Sequence, residues 1–165
     1  MRALVVVVLA AAGAAAAQAQ DHGACPMMAK AGHQAQVDGR HEHHTGIPTE
    51  GTQHHFLITD DGGSIRLGVT DSTATQAREQ VRTHLQAITR AFAAGDFSLP
   101  MRIHDQVPPG VKVMKARRDR IRYAYADSPE GGVVTLSTRD PESLAAIHAF
   151  LRFQIEDHAT GDPTE

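Results

Sequence analysis

The chain has 165 residues but only one cysteine, no tryptophan, two tyrosines and five phenylalanines. A lone Cys25 cannot close an internal disulfide, so the fold must hold without a crosslink. So few aromatics allow only a modest core. An excess of basic charge is missing as well: the formal net charge is −3 with histidine neutral, which argues against general nucleic-acid binding. There is no Gly-x-Ser-x-Gly elbow, no HExxH pair and no glycine-rich phosphate loop after a strand, so none of the common signatures of nucleophilic, zinc-protease or nucleotide chemistry is present. A long apolar run occurs only at the N-terminus, in MRALVVVVLAAAGAAAAQA. Its strongly apolar part, starting at Leu4 and ending at Leu9, is too short to span about 30 Å of hydrocarbon. With Arg2 before it and Ala17-Gln18-Ala19 after it, the segment reads as a secretory signal peptide, residues 1–19. The expected location is periplasmic or secreted, with no stable membrane anchor.

What the chain does have is histidine, eleven in all. Five fall in residues 18–44, QAQDHGACPMMAKAGHQAQVDGRHEHH, together with the cysteine and two methionines. Val37 and Ile47 are the only large aliphatics of this region. Such a composition buries too little apolar surface to offset its ordering entropy, so residues 20–51 are expected to be a disordered leader. A folded domain is expected over 52–160, with a short tail at 161–165.

Inside the domain the pattern occurs twice. HHFLITDDGGSIRLGVTD and IRYAYADSPEGGVVTLSTRD are each two alternating runs joined by a turn that ends in Gly-Gly, and each is followed by a helical stretch. This predicts an α+β fold of two ββα repeats: a four-stranded antiparallel sheet with two helices on one face. The first helix is expected near 72–94, with Thr73 and Gln76 as a capping box, Val81, Leu85, Ile88 and Phe92 on one face, and Gly95 as its stop. The second is expected near 141–158, opened by Asp140-Pro141. Its two apolar faces call for a second partner, either the sister helix or a second subunit in a homodimer. The Pro-rich connection between the repeats is read as a long crossover with at most one short helix, near 111–117. The basic run from Lys112 to Arg122 reads as solvated surface.

Strand alternation puts His54, Phe56 and Ile58 on the core face and His55 on the other. His84 flanks the stripe of the first helix. Helical rise places His84 about 20 Å from His54, so two clusters are expected at opposite ends of the helical layer: His54 with His158, and His84 with His104. His148 lies mid-helix. Met101 and Met114 bracket His104, and thioether with imidazole suits copper, Cu(I) in particular. In the leader, cleavage after Ala19 would place His22 third from a free amine, a spacing that wraps Cu(II) or Ni(II) in nitrogen. His41, His43 and His44 add imidazoles on a tether.

Several stretches resemble a family of small exported bacterial proteins: Gln53-His54-His55-Phe56, His84-Leu85, Gly95-Asp96-Phe97, Pro100, His104, Pro108-Pro109-Gly110-Val111, Met114, and Ala146-Ile147-His148 through Asp162. The resemblance covers about residues 52–163 and brings no activity with it. Some members are described as aspartate carbamoyltransferases. This chain is too short for that two-domain enzyme, and Ser137 to Asp140 (STRD) is only a fragment of a carbamoyl-phosphate loop. The expected function is therefore exported, non-enzymatic binding of a transition metal, copper first, then zinc or nickel. The alternatives are a small histidine-based or metal-dependent enzyme, and a partner-binding module that uses the second helix.

Overall fold

The computed structural model describes residues 26–165. The signal-like segment, His22 and Cys25 lie outside the described residues. In chain order the elements are α1 Pro26–Thr45, β1 Thr52–Thr59, β2 Gly62–Val69, α2 Thr75–Ala93, α3 Ser98–His104, α4 Val111–Ala116, a single 3-10 turn Arg118–Arg120, β3 Ile121–Asp127, β4 Gly131–Thr138 and α5 Pro141–Asp157. The four strands form one antiparallel sheet in the order β1-β2-β4-β3. Each repeat is thus a hairpin followed by a helix, and the two hairpins meet along β2 and β4. Among the described residues, no helix is long and apolar enough to cross a membrane.

The alternation holds. Phe56 pairs with Ile65 and His54 with Leu67, so their side chains share the core face. The turn of the first hairpin is Asp60-Asp61, because Thr59 pairs with Gly62. That lies before the Gly-Gly pair expected to close the turn, but each shift by one turn position keeps the parity and hence the faces.

Helix α2 buries the stripe Val81, Leu85, Ile88 and Phe92. Gly95, with φ +80°, closes it, its N–H donating to the Phe92 carbonyl. The capping box does not form. Asp71 accepts from the Thr73 amide and hydroxyl in a tight turn, and the helix starts only at Thr75 with no side-chain cap. In α5 the expected cap is present: the Asp140 carboxylate accepts from the Ser143 amide, with proline in the first turn.

Two features of the crossover differ from expectation. It contains a second short helix, α3, and together with α4 it covers the second apolar side of α5. Phe97 packs on Phe92 and Phe150, and Gly110 adopts φ +81° directly against the Ala146 carbonyl, where a Cβ would stand only 2.0 Å from the oxygen. The surplus apolar face of α5 is met by this chain's own connection.

The largest difference lies before the domain. Residues 26–45 form a helix, not a disordered leader. Of its described side chains only Val37 and His41 are buried, one turn apart, and Ile47 is buried just beyond its end. Two polar contacts join them. The Arg40 Nε donates to the Ile103 carbonyl at 2.5 Å, and the His33 Nε2–H donates to Asp157 at 2.6 Å. A helix with so thin an apolar stripe leaves almost no periodic signal in the sequence.

Position along α2 decides where the site forms. Val81 abuts Gly131 at the end of the sheet, and Arg82 donates to the carbonyls of Gly131 and Ser128. The first turn and a half of α2 therefore overhangs the sheet. A Cβ at Gly131 would stand 2.4 Å from the Leu67 carbonyl oxygen and 2.7 Å from Val81. Gly131→Ala should cost about 1–3 kcal/mol by overpacking, read as a lower urea midpoint, and should displace α2 together with His84.

Candidate functional site

Five imidazoles from five different elements meet at one end of the sheet. His41 of α1 is the centre. Its ring centroid lies 4.9 Å from His54 on β1, 6.1 Å from His84 on α2 and 6.4 Å from His158 just after α5. His54 and His158 stack at 5.0 Å, and His158 meets His104 of α3 edge-on at 5.0 Å. With Zn–N bonds near 2.0–2.1 Å, two imidazole centroids on one tetrahedral ion stand about 5 Å apart. The observed spacings bracket that value. Apart from the stacked His54 and His158, the rings pack edge to face, and no three His, Cys, Asp or Glu side chains among the described residues hold an ion as they stand. Gathering their nitrogens needs ring rotation about χ2, a broad torsion.

The cluster lines a cavity of about 50 Å³, closed on its other walls by apolar groups that include Phe56, Ile88, Phe92, Leu99 and Phe150. That is room for an ion with a water or two. On the outside, His54 and His158 also line an open depression of about 260 Å³ with Thr49, Gln53 and Thr160. These two rings therefore form the wall between solvent and cavity.

The protonation of the cluster follows from burial. His41 is 2% exposed, and neither of its ring nitrogens has a hydrogen-bond partner. Burial lowers its pKa, against the opposing pull of Asp38, Glu42 and the Ile47 backbone, whose approach to the ring is too loose for a well-formed hydrogen bond. His54 is held well below the ordinary value, first by burial and then by the neighbouring imidazoles. Burial takes His84 down to about 4 and His158 down to about 3. At neutral pH these four rings are neutral and offer lone pairs.

His104, 3% exposed, is the anchored member. Its Nδ1 donates to the Asp157 carboxylate at 2.5 Å, and its Nε2 lies 3.0 Å from the Gln154 Oε1, also an acceptor. Asp157 takes His33 on its other oxygen. Burial pushes the Asp157 carboxyl up, but the hydrogen bonds from His104 and His33 outweigh it and the net shift is downward. A carboxylate that fixes the second nitrogen of an imidazole is the usual orienting device behind histidine ligands.

The expectation of two clusters is corrected to one. His54 does meet His158, but His84 joins the same group through His41. The 20 Å separation failed because the overhang of α2 puts His84 only about one turn past the sheet end, near the level of His54. The other expected ligands lie elsewhere. His55 donates to Asp162 at 2.9 Å on the far side of β1. His148 donates to the Thr59 carbonyl at 2.9 Å. His43 and His44 pack on each other, exposed. Met114 is buried in the core and Met101 is exposed, and neither lines the cavity, so the thioether argument for Cu(I) does not reach the site. The sequence offers His41 only as one of a tethered tract with His43 and His44. What marks it is Val37 four residues earlier, the spacing that puts both on one helical face.

Comparison with models of protein families, with curated proteins and with solved structures finds no match to this chain.

Proposed function

We propose that the protein is an exported binder of a divalent transition-metal ion, held by imidazoles of the His41, His54, His84 and His158 cluster, with His104 oriented behind them by Asp157. One observation carries this reading: a fully buried His41 with two unpartnered nitrogens, set among three further neutral imidazoles. Leaving a buried polar atom unpartnered costs about 1–3 kcal/mol, and folds rarely keep such atoms without a ligand or water to satisfy them. An all-imidazole donor set suits zinc, copper(II) or nickel. The apolar walls around the imidazoles, which offer no polar group to orient a substrate beyond the Gln154 side chain, support binding over catalysis.

The test is elemental analysis of untagged protein purified without chelator, followed by zinc and copper(II) titration of the full chain. One ion per chain, bound at least tenfold more weakly by His54→Ala, is the expected outcome. A His43→Ala/His44→Ala variant should keep that ion, because those rings stand outside the cluster. No uptake, or uptake that only the exposed pair controls, would refute the reading.

A further inference from the structure

Helix α1 stands apart from the rest of the fold in how it is held. It carries Gly32 and Gly39, around which a Cβ would meet nothing within 4 Å, so no close packing requires either glycine. Glycine in a helix interior weakens it, and an isolated helix of this length is marginal in water. The part of the chain that joins it to β1 has glycines in the left-handed region at both ends, Gly46 with φ +69° and Gly51 with φ +81°. Of its described side chains only Val37 and His41 are buried, and His41 is buried with both nitrogens unpartnered. Docking α1 therefore buries two ring nitrogens for which the described residues supply no well-formed hydrogen bond.

We propose that α1 is a lid that closes over the bound ion, with His41 the ligand that closure delivers. This rests on the metal-binding reading above and adds its regulation. With α1 raised, His54, His84 and His158 take the ion from the side that α1 covers, and α1 folds down to cap it. Asp157 is the catch. One of its oxygens positions His104 of the site and the other holds His33 of the lid, so closing the lid and orienting the site share one carboxylate. An open lid leaves the ion exchangeable from the side that α1 covers, and a closed lid retains it.

Hydrogen–deuterium exchange of the full chain, with and without one equivalent of zinc chloride, tests this. Zinc should slow exchange of the amides of residues 30–45 at least tenfold. Amides of β2 and β4 report in every sample that the domain is folded. In His41→Ala zinc should still bind, more weakly, but should no longer protect α1. His33→Ala, which keeps every proposed ligand, should keep zinc while protecting α1 less than the parent chain. If elemental analysis shows zinc bound and α1 exchanges at the same rate with and without it, the lid is wrong and the metal site stands. Zinc protection of α1 that persists in His41→Ala also overturns it. If no zinc is bound at all, the metal reading itself fails and the lid goes with it.

Discussion

Taking the metal-free protein from pH 7 to pH 5.5 should lower its melting temperature by about 10 °C. Burial holds His84 near 4 and His158 near 3, against 6.5 for a free imidazole. In the unfolded chain these rings take up protons as pH falls through 6.5, whereas in the folded chain they stay neutral until far lower. Between those limits the unfolded state binds more protons, so stability rises with pH and is lost on acidification. No such penalty applies above about pH 7. At pH 5.5 each of these two rings costs about 1.4 kcal/mol, one unit below the free value. Their sum, about 3 kcal/mol, corresponds to about 10 °C for a chain of this size. His41 and His54 shift the same way and add to the effect. The groups that oppose it are few: Asp38 and Glu42 beside His41, and Asp157 beside His158. Asp157, Asp140 and Asp162 have lowered pKa values and titrate below this window. A double variant, His84→Leu with His158→Phe, should flatten the dependence. A melting temperature constant from pH 7 to 5.5 in the parent chain would contradict the neutral cluster, with His41 buried and His54, His84 and His158 half-buried.

The second large effect is stabilisation by metal. Zinc at about a thousand times its dissociation constant should add about 4 kcal/mol to the folded state, about 13 °C in melting temperature. Chelator should reverse it, and His54→Ala should abolish most of it. The acid limit of binding distinguishes this site from a solvated histidine tract. A tract with ordinary imidazoles loses its ion as pH falls through about 6. Here burial holds the folded rings neutral to lower pH, so the proton competes with the ion only at lower pH than in such a tract. Thermal melts with saturating zinc at pH 7, 6 and 5 check this. Loss of the whole zinc effect at pH 6 would place the ion on the exposed histidines.

Much of the scaffold was legible because it rests on short-range rules. Period-two alternation put His54 with Phe56 on the core face, and it survived a wrong turn assignment because parity is all it needs. Asp140-Pro141 marked the start of α5, and Gly95 the stop of α2. The meeting of His54 with His158 followed from the repeat topology. What was not legible depended on tertiary contact. Residues 26–45 have the composition of a disordered segment, and two buried side chains with two polar catches hold them as a helix. The place of His84 was missed for a related reason. The turn built by Asp71 and Thr73 carries the chain past the sheet end before α2 begins, and no sequence periodicity records an overhang. His41, His43 and His44 look equivalent in HEHH. Only the helical turn separates them, sending His41 inward with Val37 and leaving the other two in solvent.

The most direct measurement is the zinc K-edge X-ray absorption spectrum of the zinc-loaded full chain, compared with that of its His54→Ala variant. The account predicts a shell of at least three imidazole nitrogens at about 2.0–2.1 Å, with the outer-ring scattering that rigid imidazoles give, and one imidazole fewer in the variant. A mainly oxygen shell, or the same spectrum from both proteins, would contradict it.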